Sequence, residues 1–485
     1  MSGSTPAQRI GEVGARLAAD GVDDALADDL VRRIVDVVGN SLAATREEPA
    51  RIAGAVTAEW GGTPAATAIG QPQRLPAPSA ALVNGTLAHS LDFDDTHLPS
   101  VLHPSAAVVP AALATAERVG AGGRALLAAA AMGIEVTCRL GMAGYDEELG
   151  NSVFFEHGQH ATAICGAVGA AVASGMLQGL DADRLTSVIG IAASMGAGVI
   201  EANRTGGTIK RVHCGWAAHA GVVAADLARH GLTGPPTVIE GRFGFLRAFC
   251  GERVHPERVT DGLGEHWETP GVFFKPYPCN HFTHAGVDAA LALRARGVTA
   301  GDVRELVLGV PAPVLRTIAE PAEEKARPRS GYHAAFSGPY TVAAALVGGG
   351  GLGVFHEDFT DAVAADPARL DLAGRVRVVA DDEATAGFPR QFPAVLTAEL
   401  TDGSSVTERV SANRGGPARP LSADELAAKF TGNAERVVGP EQAAGIVGTL
   451  WDLRADRPVA EVMAGIQDAT IRSAQGNNSE IVSSP

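Results

Sequence analysis

Cysteine is scarce and unpaired in this sequence: Cys138, Cys165, Cys214, Cys250 and Cys279 are dispersed, with no C-x-x-C spacing. An odd, scattered set excludes a disulfide framework and a structural zinc site as organising devices. It gives little support for an iron–sulfur cluster, which wants three or four thiolates with some close spacing. Aromatic residues are also few, at 5% of 485 residues. Basic residues are in deficit, 39 against 55 acidic, for a net charge of −16. So acidic a surface argues against nucleic acid and against an anionic membrane as partners, while a local basic pocket could still hold a small anion. Residues 1–6 lack the basic-then-apolar pattern of a secretion leader. One uncharged run, Ala161 to Leu180, is long enough to span a bilayer, but its Ala and Gly content reads as a buried core helix. A soluble, cytoplasmic chain is the expectation. No repeat or low-complexity array is present, which excludes a solenoid.

What is abundant is apolar: 46% of the residues, with 59 glycines, a composition suited to helices packed closely through Ala and Gly faces. The length allows two domains. From about residue 8 to 250 the pattern is helical. Leu26, Leu30, Ile34, Val38 and Leu42 recur at spacings of four, behind Asp23 and Asp24 as N-cap and first-turn acids. Ala111–Glu117, Arg124–Arg139, Ala161–Met176 and Ala217–Arg229 read as further helices, several apolar on every side. Phe273-Phe274-Lys275-Pro276-Tyr277-Pro278 cannot continue a helix and marks a boundary. Strand-like pieces follow at Glu305–Val310, Val376–Val379 and Ala394–Leu400, the last joined to Val406–Val410 by the turn Thr401-Asp402-Gly403-Ser404. Helical segments Thr283–Arg296 and Tyr340–Val347 interleave with them, and Ser422 with Glu425 fits a capping box. The fold class expected is mainly α: a large all-helical domain over 8–274, a smaller α+β domain over 275–418, a helical part over 419–470 that packs back on the large domain, and a disordered tail over 471–485.

The chemistry concentrates in a few places. His89-Ser90-Leu91-Asp92-Phe93-Asp94-Asp95-Thr96-His97, followed by His103-Pro104-Ser105, sets carboxylates, imidazoles and a hydroxyl between two apolar runs. Burying such groups is costly, so the cluster points to a site rather than to packing. His157-Gly158-Gln159-His160-Ala161-Thr162 and Arg204-Thr205-Gly206-Gly207-Thr208-Ile209-Lys210-Arg211-Val212-His213 each lead into an apolar helix, whose free N–H groups favour anions. Lys210, Arg211 and Lys275 together could hold the carboxylates of one small molecule. His103 or His160 could exchange a proton near neutral pH, with Asp92 or Asp95 orienting an imidazole. For His97, His213, His219 and His281 the reading is a cap or a hydrogen-bonded core group, and Asp94 and Asp95 divide evenly between a site and helix capping. The spacings of Asp and His give little support for a metal site.

The same residues resemble the MmgE/PrpD family, which includes 2-methylcitrate dehydratase, cis-aconitate decarboxylase and iminodisuccinate epimerase. The likeness runs from about residue 8 to 465 and is carried most specifically by His89–Thr96 with His103-Pro104-Ser105. It is supported by Gly133–Val136, His160-Ala161-Thr162, Lys210–Gly215, Glu240–Phe245, Lys275–Cys279 and Ser337-Gly338-Pro339-Tyr340. It implies a large helical domain with a smaller α+β lid, the site between them, a homodimer, and neither metal nor organic cofactor. It further implies that Asp92, Thr96, His103, His160, Lys210, Lys275 and Tyr340 line the pocket. In that reading His103 is the general acid or base oriented by Asp92. Lys210 and Lys275, with Arg211 beside them, bind substrate carboxylates and stabilise an enolate-like intermediate, and Tyr340 or Thr96 supplies a hydroxyl. A lyase acting on a small di- or tricarboxylate is the leading expectation, dehydratase slightly ahead of decarboxylase. An epimerase of a similar acid is the alternative, and a non-catalytic organic-acid-binding protein is the alternative of another class. Asn280 and His281, and the segment Tyr145–Phe155, depart from the better-known dehydratases.

Overall fold

The computed structural model describes residues 3–202 and 207–482. The Arg204-Thr205-Gly206 part of the third cluster lies outside the described residues. Two compact units make up the chain: Met1–Val272 together with Phe430–Pro485, and Phe273–Lys429.

The first unit is helical because its sequence offers apolar stripes and caps rather than alternation. The side chain of Asp23 accepts the Leu26 N–H and Asp24 occupies the first turn of the helix Asp24–Ala43, as its position in the sequence leads one to expect. The expected helices appear with longer bounds: Ser105–Val119, Gly123–Ala143, Ala161–Leu177 and His213–Arg229. Ala161–Leu177 is buried on every face up to Met176 and packs against the other three. Gly123–Ala143 has the length and apolar character to cross a membrane, yet 89% of its most apolar window is buried inside the fold.

Small residues bring these helices into main-chain contact. A Cβ on Gly169 would fall 2.3 Å from the Gly133 carbonyl oxygen. One on Gly215 would fall 2.2 Å from the Leu82 carbonyl oxygen, and one on Gly85 would fall 2.8 Å from Gly215 Cα. Overpacking by even one methyl at such a crossing costs about 1–3 kcal/mol, and more where the obstacle is backbone.

The C-terminal helices Pro440–Trp451 and Val459–Val482 belong to this unit and pack on Asp24–Ala43 and Ser105–Val119. Asn433 donates to Asn40 Oδ1 at 2.9 Å, and the Val459 N–H donates to the Ala121 carbonyl at 3.1 Å. The final helix runs on to Val482, into the segment expected as a tail. Residues 471–482 contain no proline and a single glycine, Gly476, which leaves the helix begun by buried Val462, Met463 and Ile466 free to propagate.

The second unit carries a four-stranded sheet made from Val303–Val310, Val376–Ala380, Ala394–Leu400 and Ser405–Val410. The second of these lies at one edge, beside and parallel to the first. The third pairs with the first antiparallel, and the fourth with the third antiparallel at the other edge. Leu306, Leu308, Leu396 and Ala398 are buried, and the helices His284–Ala295 and Gly338–Val347 pack against the sheet. In the expected hairpin, Asp402 Oδ1 accepts the N–H and hydroxyl of Ser404, and Gly403 takes a left-handed φ of 87°. This unit reaches past residue 418. Asp288 holds the N–H of Arg414 at 3.0 Å and Nη1 of Arg419 at 3.1 Å, and Phe274 packs with Leu421 and Leu426. The Ser422–Glu425 capping box forms, with N–H to side-chain distances of 3.1 and 2.7 Å.

Candidate active site

Four helix ends in the first unit converge on four histidines. His89 closes the helix Ala77–His89, His103 stands two residues before Ser105–Val119, His160 caps Ala161–Leu177, and His213 opens His213–Arg229. Ring centroids are 5.4 Å apart for His103 and His89, 5.6 Å for His89 and His160, and 5.1 Å for His160 and His213.

The segment from Asp92 to Pro104 is a shaped loop. Asp92 and Val101 take left-handed φ values of 51° and 53°, unusual for residues with a Cβ. The main chains of His97 and Leu102 exchange hydrogen bonds at 2.8 and 3.3 Å, which folds the loop back and returns His103 beside Asp95. His103 Nδ1 sits 2.6 Å from the Asp95 carbonyl oxygen. A carbonyl can only accept, so Nδ1 carries hydrogen, and Nε2 is the nitrogen that gains or loses a proton. Thr96 Oγ1 is 3.3 Å from the same Nδ1, and the His103 N–H donates to Thr162 Oγ1 at 3.2 Å.

The carboxylates divide their tasks. Asp95 accepts the Ser105 N–H at 3.2 Å, the Ser105 hydroxyl at 2.5 Å and Arg33 Nη1 at 3.3 Å, so it caps the helix that follows. Burial pushes its carboxyl up to about 6 against the lowering effect of Arg33. Asp94, fully buried, lies 2.8 Å from His89 Nδ1 and 4.0 Å from His103 Nδ1. Asp92 pairs with Lys210 Nζ at 3.6 Å. The Asp95 main-chain carbonyl thus lies against the His103 ring, with the Asp94 carboxylate 4.0 Å from the same nitrogen.

His160 and His213 meet Nδ1 to Nδ1 at 3.0 Å. Burial, then the neighbouring His89, Lys210, His213 and His103, hold His160 well below the usual imidazole range. Burial, His89 and Lys210 lower His213 to about 4. The surroundings of His160 therefore favour its neutral form.

The remaining expected residues are placed as follows. Thr96, His160 and Lys210 join Asp92 and His103 in this cluster. Arg211 is turned to Glu47, 3.2 Å away. Lys275, 1% exposed, and Tyr340 belong to the second unit. The Tyr340 hydroxyl donates to the Asp358 carbonyl at 2.6 Å and lies 3.2 Å from the Val363 carbonyl, within the core of that unit. From the sequence, His89 and Asp94 are named only within the cluster, Asp94 divides evenly between a site and helix capping, His213 reads as a cap or core group, and Arg33 is not singled out. For the His89–Asp94 pair the five-residue separation across a helix end was the available signal, whereas nothing local announces Arg33 or the partnership of His213.

Among the described residues, one trio of buried donors, His89, Asp94 and Cys214, has its ligand atoms all within 4.8 Å of one another. Asp94 is bonded to His89 Nδ1, and burial, with Asp94 close by, pushes the Cys214 thiol well up.

The sequence matches the MmgE/PrpD N-terminal domain over residues 8–257 and the MmgE/PrpD C-terminal domain over residues 277–453. The chain belongs to the MmgE/PrpD family. Among this family member's relatives, the cis-aconitate decarboxylase of Homo sapiens is 30% identical over 438 residues, covering 87% of each chain. The cis-aconitate decarboxylase-like protein oryM of Aspergillus oryzae is 28% identical over 422 residues, covering 82% of this chain and 83% of its own. The cis-aconitate decarboxylase of Aspergillus terreus is 30% identical over 359 residues, covering 70% and 71%.

Proposed function

We propose that this MmgE/PrpD protein is a cofactor-independent lyase that removes carbon dioxide from cis-aconitate or a closely related unsaturated polycarboxylate. The observation that carries the reading is His103, held by Nδ1 on a main-chain carbonyl with Asp94 behind it, in the same cluster as the Lys210–Asp92 pair. The names of the relatives favour decarboxylation over dehydration.

In this reading Lys210 holds a substrate carboxylate and stabilises the charge that develops as the C–C bond breaks. The bonding electrons stay on the substrate as an allylic or enolate-like carbanion, carbon dioxide leaves, and protonated His103 delivers hydrogen from Nε2 to carbon. Asp94, 4.0 Å from the ring, stabilises the imidazolium before that transfer. Lys275 enters as a second carboxylate-binding group through the family resemblance alone. Dehydration of 2-methylcitrate or epimerisation of a related acid could pass through the same intermediate, so the products decide among them.

Proton NMR of the purified protein with cis-aconitate, 2-methylcitrate and related acids in deuterium oxide, without added metal, tests the reading. The expected result is loss of carbon dioxide from cis-aconitate with deuterium at one product carbon, abolished in His103→Ala. Loss of water, or deuterium uptake without change of carbon skeleton, would replace the proposal with dehydratase or epimerase. Acid binding without turnover would leave a binding protein.

A homodimer is proposed as well. Ile52, Val56 and Trp60, four residues apart on one helix and 52%, 38% and 52% exposed, form an apolar stripe that a second copy would cover. Sedimentation should show a dimer that Trp60→Asp weakens.

A further inference from the structure

The His160–His213 contact has a chemical consequence that does not depend on the substrate. Two Nδ1 atoms 3.0 Å apart need one hydrogen between them, since two bare nitrogens repel and two N–H groups clash. The rings are held there by main-chain structure. His160 is 2% and His213 7% exposed, each at the start of a long helix, and the two helices pack against each other. The His160 N–H is fixed on the Gly198 carbonyl at 3.1 Å. At Gly198 a Cβ would already lie 3.2 Å from His160 Cβ and 3.5 Å from His213 Nδ1.

We propose that His213 is a positioning residue acting through His160: the two rings share one proton between their Nδ1 atoms, so that their Nε2 atoms are always one donor and one acceptor. When the shared proton sits on His213, His160 has a bare Nδ1 and presents an Nε2–H donor. When it sits on His160, that ring presents a bare Nε2 acceptor. The exchange balances: one Nδ1–H bond breaks and the other forms, while the ring that gains the Nδ1 proton releases one from Nε2 and the other ring takes one up at Nε2. The groups around His160 are His89, His103, His213 and Lys210, all able to carry positive charge, and they oppose a second proton on the pair. Under the lyase reading, on which this part alone rests, His160 would offer a substrate oxygen a hydrogen bond whose direction His213 sets.

The experiment is a long-range 1H–15N correlation spectrum of the full-length protein labelled with 15N-histidine at pH 7, assigned with His160→Gln and His213→Gln. The expected spectrum shows each of the two rings neutral, with one pyrrole-type and one pyridine-type nitrogen, and the two rings in opposite tautomers. A doubly protonated ring, or the same tautomer in both, would overturn the shared proton. The second arm measures turnover of cis-aconitate. His213→Asn, which keeps a polar group near Nδ1, should stay within about fivefold of wild type in kcat. His213→Phe should lose about tenfold or more with KM little changed, at unaltered thermal stability. Equal losses in the two variants would overturn the positioning role. If the wild-type protein turns over none of the acids, the lyase reading falls, while the spectrum still decides the proton.

Discussion

Replacing Arg33 by methionine tests how the scaffold holds the Asp92–Pro104 loop. Arg33 is 1% exposed. Its Nε and Nη2 reach Asp29 at 2.8 and 3.1 Å, its Nη1 reaches Asp95 at 3.3 Å, and its Nη2 also donates to the carbonyls of Thr269 and Val272 at 2.7 and 3.1 Å. Methionine roughly keeps the volume and removes the charge, which leaves the Asp95 carboxyl buried without its cation. Removing one partner of a buried pair costs about 3–5 kcal/mol, and the lost bonds to the Val272 carbonyl and to the Thr269 carbonyl, which keeps the Val272 N–H, add roughly 1 kcal/mol. For a unit of this size that lowers Tm by about 10 °C.

The loss should also depend on pH. Asp95 titrates at about 6 in the folded protein, above its value of about 3.9 in an unfolded chain. The folded state therefore binds more protons between those values, and stability falls as pH rises through that window. Without Arg33 the Asp95 pKa rises further, and the falling limb extends above pH 6. The deficit of Arg33→Met is then larger at pH 8 than at pH 5, by about 1.4 kcal/mol for each unit of further rise. Calorimetric Tm values for both proteins at the two pH values measure this. Equal deficits, or a loss below about 1 kcal/mol, would refute the argument. Because the Asp95 carbonyl aims His103, kcat should fall along with stability.

Other outcomes follow from the same geometry. Asp94→Asn removes the carboxylate that serves His89 and His103, and should lower kcat by about 10²-fold with a modest change in KM, measured by steady-state kinetics. Lys210→Ala should raise KM and lower kcat together, whereas Arg211→Ala, which breaks a pair with Glu47, should change either by no more than about threefold. Tyr340→Phe removes a buried hydroxyl from the Asp358 carbonyl and should cost about 1–2 kcal/mol in urea unfolding with little effect on kcat; a large kcat loss at unchanged stability would return that hydroxyl to the reaction.

The helical part of the fold was legible because its signals are local. The four-residue spacing from Leu26 to Leu42, the Asp23 cap and the Ser422–Glu425 box act within one or two turns, and the turn at Asp402-Gly403 acts within four residues. The candidate site was legible as a place, since so many ionisable groups between apolar runs need a compensating structure. Its internal partnerships were not. His103 is oriented by a carbonyl, and every residue has one, so no side-chain letter could reveal it. Arg33 meets Asp95 across 62 positions and His213 meets His160 across 53, distances set by helix packing rather than by motif. Tyr340 shows a motif residue whose hydroxyl bonds main-chain carbonyls in the core of its own unit, partners that no local signal names.

The main-chain contact between Gly85 and Gly215 bears on how such an enzyme changes over evolutionary time. His89 and His213 stand at the ends of the two helices that touch there, so the spacing of the imidazoles is set by backbone against backbone. A side chain at either glycine would pry the helices apart and displace the imidazoles at their ends. Segments outside that crossing are free of this constraint and can vary while the spacing of the imidazoles stays fixed.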